Sequence, residues 1–125
     1  MNFYHPTPEG VIEQMTMGVD LEGKTVLEPS AGSGNIVDHV KKLGASQVLV
    51  YEKEPELRDI LEKKAKVMGN DFLKADKNDL SHVNYIIMNP PFSNADEYIL
   101  KAWEVSPEGC ETVAICNTET IDLDK

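Results

Sequence analysis

Lys24-Thr25-Val26-Leu27-Glu28-Pro29-Ser30-Ala31-Gly32-Ser33-Gly34-Asn35-Ile36-Val37-Asp38-His39-Val40 is the stretch whose reading decides the fold. It begins as an apolar strand over 24–28 and turns through a proline and two glycines. Ile36, Val37, Val40 and Leu43 then recur at helical spacing until Gly44 ends the helix. Strand, glycine turn and helix make the opening unit of a parallel sheet with crossover helices. Outward from it the alternation repeats. Residues 47–52 predict a second apolar strand, and Pro55 opens a helix with Leu57, Ile60 and Leu61 facing inward. A weak third strand is expected over 65–68, a stronger one over 85–88, a helix over 95–105 and a fifth strand over 112–116. The polar stretch 74–84 reads as a surface loop with a helical turn. Upstream, Thr7 is placed to cap a helix that starts at Pro8 and carries the apolar stripe Val11, Ile12, Met15 and Val19.

The expectation is an α/β protein, a doubly wound parallel sheet forming one domain over residues 1–125. The fifth strand would be its edge, with apolar Val113, Ala114 and Ile115 exposed to pairing with another chain. No apolar run approaches the roughly 20 residues that span a bilayer, and the polar start lacks a signal peptide's apolar region, so a cytoplasmic protein is expected. Cys110 and Cys116 are too few for a disulfide scaffold, and His5, His39 and His82 are scattered, so reduced thiols and no metal are expected. The 22 acidic and 12 basic residues leave a net charge of −10, with Arg58 the only arginine. Such a surface repels phosphate, so a nucleic-acid substrate would need further chain or a partner subunit to grip its backbone.

In open parallel sheets, ligands bind beyond the carboxyl ends of the strands, where strand order reverses. Here the expected strands end on Glu28 with the glycine turn, on Glu52, on Asp71-Phe72, and on Asn89-Pro90-Pro91-Phe92. Gly32 and Gly34 let the backbone turn tightly and approach a ligand. Glu52 lies 20 residues beyond Gly32, the separation at which an acid accepts hydrogen bonds from ribose hydroxyls. Asp71 is placed to accept from an adenine amino group with Phe72 against the ring face; the plain alternative is a turn aspartate beside a core phenylalanine. There is no Gly-x-x-x-x-Gly-Lys loop, and Val37 stands where a third dinucleotide-fingerprint glycine would fall, which disfavours phosphate-rich ligands. An adenosyl ligand without phosphates fits better.

Asn89-Pro90-Pro91-Phe92 is the most specific segment, because two prolines fix φ and stiffen the turn. A rigid turn allows the Asn89 side-chain oxygen and the Pro90 carbonyl to accept from the same substrate amine. An exocyclic amine is a poor nucleophile because its lone pair is delocalised into the ring, and two acceptors favour a tetrahedral nitrogen whose lone pair faces a methyl donor. Phe92 would stack on the substrate base, which in a duplex must first be flipped out.

With these residues in view, the chain resembles the Rossmann-like, S-adenosylmethionine-dependent amino methyltransferases, and most of all the adenine-N6 DNA methyltransferases. His5-Pro6-Thr7-Pro8 is similar to that family's N-terminal cofactor segment, residues 27–34 to its glycine loop and residues 89–92 to its catalytic tetrapeptide. The resemblance implies a class I methyltransferase core with S-adenosylmethionine as cofactor. Thr7, Pro8, Glu28, Gly32 and Gly34 would surround its methionine part, Glu52 its ribose, and Asp71 and Phe72 its adenine, while Asn89, Pro90 and Phe92 would hold the target base. Family members continue with further strands and, when they modify DNA, a target-recognition region; the final strands and that region are expected to be missing here. Methyltransferases acting on RNA bases or protein glutamine share the tetrapeptide. A non-catalytic cofactor-binding module is the alternative from another class.

Overall fold

A computed structural model describes residues 8–32, 34–90, 92–116 and 119–124; for 92, 115, 116 and 119–124 the description extends to the backbone alone. Thr7 lies outside the described residues. The elements follow in the order α1 (Glu9–Thr16), β1 (Thr25–Glu28), α2 (Asn35–Lys42), β2 (Gln47–Tyr51), α3 (Pro55–Leu61), β3 (Lys66–Gly69), β4 (Tyr85–Met88), α4 (Ala95–Val105), β5 (Glu111–Cys116) and β6 (Glu119–Asp124). Short 3-10 turns cover Phe72–Lys74, Lys77–Leu80 and Phe92–Asn94.

The strand order is β3-β2-β1-β4-β5-β6. β1 pairs parallel with β2 on one side and with β4 on the other, so the chain builds outward from β1 one way and then crosses back to build the other way. The reversal point falls between β1 and β4, as the doubly wound reading requires. Both sheet faces are buried, which is why the strands are apolar without alternating with polar residues. Val26, Val48, Val50, Ile87 and Val113 point to one face, where they pack with Ile12 and Met15 of α1, Ile36, Val37 and Val40 of α2, and Leu61 of α3. Their neighbours Leu27, Leu49, Tyr51, Ile86, Met88 and Ala114 point the other way, against Phe72, Leu80 and the Tyr98, Ala102 and Val105 stripe of α4.

Several expectations need adjustment. The sheet does not end on β5, because β6 pairs antiparallel along the whole of it, from Glu111 opposite Asp124 to Cys116 opposite Glu119. The expected apolar edge is thereby covered. α1 takes Pro8 as its N-cap residue rather than its first helical position, and it ends at Thr16, leaving Val19 to pack on the core from the following turn. Ile60 was expected inward but is 44% exposed, because α3 rests on the core mainly through Leu61. β3 begins one residue later than expected, at Lys66.

Candidate functional site

The ends of β1, β2 and β3 are tied together by main-chain and carboxylate hydrogen bonds. After Glu28 the chain turns through Pro29 and Ser30, and Ala31 N–H donates to the Tyr51 carbonyl at the end of β2 at 3.2 Å. Gly32 and Gly34 take φ of 58° and 96°, left-handed values that favour glycine. A Cβ at Gly34 would lie 2.6 Å from Lys64 Cε, the movable end of a flexible side chain, so the left-handed φ rather than lack of space is what favours glycine there. From Gly34 the carbonyl receives Asp38 N–H at 2.8 Å and α2 begins. Lys64, packed over this glycine, forms an ion pair with Asp38 at 3.1 Å.

Glu52 closes the loop. Its Oε1 accepts from Gly32 N–H at 2.7 Å and its Oε2 from Glu54 N–H at 3.0 Å, while its own N–H donates to the Gly69 carbonyl at 3.2 Å. A carboxylate has about four acceptor sites, so these two bonds leave capacity for a ligand's hydroxyls. Arg58 donates to the carbonyls of Glu52 and Lys53 at 2.9 and 2.7 Å, fixing the backbone of the turn without neutralising the carboxylate directly.

Glu28 differs from the other acids among the described residues. It is fully buried; Oε1 accepts from Ser30 N–H at 2.8 Å, whereas Oε2 is buried with no hydrogen-bond partner. Burial pushes its pKa up to about 8 from 4.5; the Ser30 N–H opposes this, the Glu52 charge adds to it, and the Ser30 hydroxyl lowers it slightly without forming a bond of good geometry.

Asp71 accepts from Leu73 N–H at 3.0 Å and caps the turn Phe72–Lys74. Phe72 was expected against a ligand ring, but here it is fully buried, its ring centroid 5.5 Å from that of Tyr51 and 5.7 Å from that of Tyr98. A large apolar ring is more stable in the core than on a wet crevice wall, so of this pair Asp71 alone remains at the crevice. At the end of β4, which lies beside β1, Asn89 is half-buried and Pro90 buried, followed by the 3-10 turn Phe92–Asn94 that leads into α4. The Phe92 side chain lies outside the description.

One side chain near the strand-end acids and one buried polar group ahead of α4 were not foreseen. Tyr98, on the inward stripe of α4, is nearly buried, and its hydroxyl pKa is pushed up to about 12, first by burial and then by Asp71, Glu28, Glu52 and Glu97. It therefore sits within the field of all three strand-end acids. Asn94 precedes α4 and keeps a buried Oδ1 without a partner. Helical spacing marks Tyr98 as inward-facing, but nothing in the spacing shows that it reaches the strand ends. Among the described residues no cluster of His, Cys, Asp and Glu is arranged to hold a metal, and no helix is long and apolar enough to cross a membrane.

No model of a known protein family matches the chain. The ribosomal RNA small subunit methyltransferase A of Pelagibacter ubique is 30% identical over 98 residues, which make up 74% of this chain and 37% of that protein. The chain thus spans little more than a third of the curated relative it matches. Among solved structures, a Pyrococcus horikoshii protein provisionally named an RNA methyltransferase has a TM-score of 0.71 at 28% identity, covering 89% of this chain and 62% of that one. An RNA methyltransferase from Salinibacter ruber, solved with S-adenosyl-L-homocysteine, has a TM-score of 0.71 at 18% identity, covering 88% of this chain and 76% of that one. A dimethyladenosine transferase from Plasmodium falciparum has a TM-score of 0.69 at 15% identity, covering 89% of this chain and 41% of that one. A parallel sheet reversing direction at β1 and β4, helices on both faces and these neighbours together give the chain the Rossmann-like fold of the class I methyltransferases.

Proposed function

We propose that the chain binds S-adenosylmethionine and directs its methyl group to an exocyclic amino nitrogen, with adenine N6 in RNA as the target. The observation that carries this reading is the placement of Asn89-Pro90 at the end of β4, directly beside the Glu28 end of β1. The two acceptors assigned to the amine thus lie on the same side of the sheet as the acidic ends of β1 and β2. The chain's own residues suit the cofactor: left-handed glycines admit close approach, and Glu28 Oε2 is a buried acceptor with nothing to accept from. Bound there, S-adenosylmethionine supplies a methyl group activated by the positive sulfur.

Pro8, Glu28, Gly32 and Gly34, with Thr7 upstream, would hold the methionine part, Glu52 the ribose and Asp71 the adenine amino group. Phe72 acts instead as the anchor that fixes the Asp71 turn. Asn89 Oδ1 and the Pro90 carbonyl take the two N–H groups of the substrate amine and hold its lone pair toward the methyl group, and Phe92 stacks on the base. The DNA target expected from the sequence gives way to RNA, since the curated relative and the neighbours described above carry names that specify RNA or adenosine. With a net charge of −10, the grip on the RNA backbone falls to further chain or a basic partner. The test is transfer of labelled methyl groups to adenine-containing RNA and DNA of the same sequence, with and without a co-purified partner. Transfer confined to RNA adenine is expected; transfer confined to DNA or to protein would overturn the substrate, and no transfer to any of them would overturn the reaction.

A further inference from the structure

Glu28 combines three features that a structural acid has no use for together. It is wholly buried, one of its oxygens lacks a partner, and it lies at the reversal point of the sheet beneath the glycine turn. An ionised carboxylate so placed is costly unless a cation or further donors meet it. The groups that face it include no cation, and none of them meets Oε2 in a hydrogen bond. From its own loop come the Ser30 N–H and hydroxyl, from the end of β2 the charge of Glu52, and from α4 the Tyr98 hydroxyl, which also feels Asp71, Glu52 and Glu97. Lys64, the cation packed on the glycine loop, is already paired with Asp38. Among the described residues, nothing positive acts on Glu28.

Resting on the methyltransferase reading above, we propose that Glu28 carries a proton until the cofactor's α-ammonium group settles beside Oε2, and that this proton then leaves to solvent. The site would thereby couple cofactor binding to proton release and select ligands by charge. The sign follows from the elevated pKa. Below it, the cation must displace a proton before it can pair with the carboxylate, so affinity rises with pH from acid toward about 8 and falls again once the ligand's own ammonium group loses its proton. A ligand with the same adenosine half and no ammonium group gains nothing from the ionised carboxylate, and its affinity would not follow this course.

The experiment is calorimetric titration of the whole chain with S-adenosylhomocysteine in two buffers of different ionisation enthalpy, from pH 6 to pH 8. The heat difference between buffers counts the protons released. For the wild type near neutral pH we expect about one proton per ligand. With 5′-methylthioadenosine, which has no amino-acid moiety, and with Glu28→Gln titrated with S-adenosylhomocysteine, we expect a value near zero. Wild-type binding without proton release would overturn the proposal while leaving the cofactor reading intact. Equal release in Glu28→Gln, or with 5′-methylthioadenosine, would also overturn it by placing the proton elsewhere. No binding of S-adenosylhomocysteine at any pH would overturn the cofactor reading itself. Should Glu28→Gln fail to fold, the two-ligand comparison on the wild type still decides.

Discussion

Replacing Glu28 with Gln preserves the shape of the protonated side chain and the acceptor facing Ser30 N–H, and it removes the possibility of ionisation. The consequence for stability can be worked out from the pKa. The folded value is about 8 against 4.5 for the ordinary group, so between these limits the folded protein holds a proton that the unfolded chain has lost. Stability must therefore fall as pH rises through the window. It is fully present below about 4.5 and has reached its floor above about 8. At about 1.4 kcal/mol for each tenfold change in proton activity, the whole interval corresponds to about 5 kcal/mol, an upper bound that water entering around the ionised carboxylate reduces. Every other titrating group is common to both proteins and cancels in the comparison. Glu28→Gln should match the wild type near pH 5 and exceed it by several kcal/mol near pH 9, within the bound of about 5. Urea unfolding of both proteins across this range, with midpoints compared at unchanged m-value, measures the difference. Parallel stability profiles would refute the reasoning and mean that Glu28 is ionised, and satisfied, in the folded chain.

Asn89→Ala should leave cofactor affinity nearly unchanged and lower methyl transfer by orders of magnitude in the active form of the protein, because the lost acceptor works in the transition state; single-turnover transfer checks it. Glu52→Ala removes an acceptor and also releases Gly32 N–H, so cofactor affinity measured by calorimetry should drop by roughly 1–3 kcal/mol. Phe72→Ala should cost about 3–5 kcal/mol in urea unfolding, as for other buried aromatics, with cofactor affinity falling only as the Asp71 turn loosens.

The glycine turn was legible because tight φ requirements and helical periodicity write themselves into residue type, and the same holds for α4, whose bounds at Ala95 and Val105 match the expectation. β6 was not legible: residues 119–124 hold only two apolar residues, Ile121 and Leu123, among acids and a threonine, too brief a pattern to stand out without the pairing to β5. Asp71-Phe72 reads identically whether the ring lines a crevice or fills the core; only the presence of Tyr51 and Tyr98 around it distinguishes the two. The position of Glu28 at a strand end was visible, but its isolation from any donor to Oε2 is a property of what packs around it. Tyr98 was passed over for the opposite reason, since a tyrosine on an inward helical stripe looks like ordinary core.

Because β1 and β4 are the two central strands of six, the crevice hangs from the pair that fraying from either edge reaches last. Opening the sheet from β3 or from β6 strips an outer strand and leaves Glu28 and Asn89 on their neighbours. Amide protons of β1 and β4 are expected to be among the slowest in the chain to exchange with solvent. Of the strand-end residues, Glu28 and Asn89 are thus the last to be lost when the sheet frays, while Asp71, which follows the edge strand β3, is exposed to fraying first.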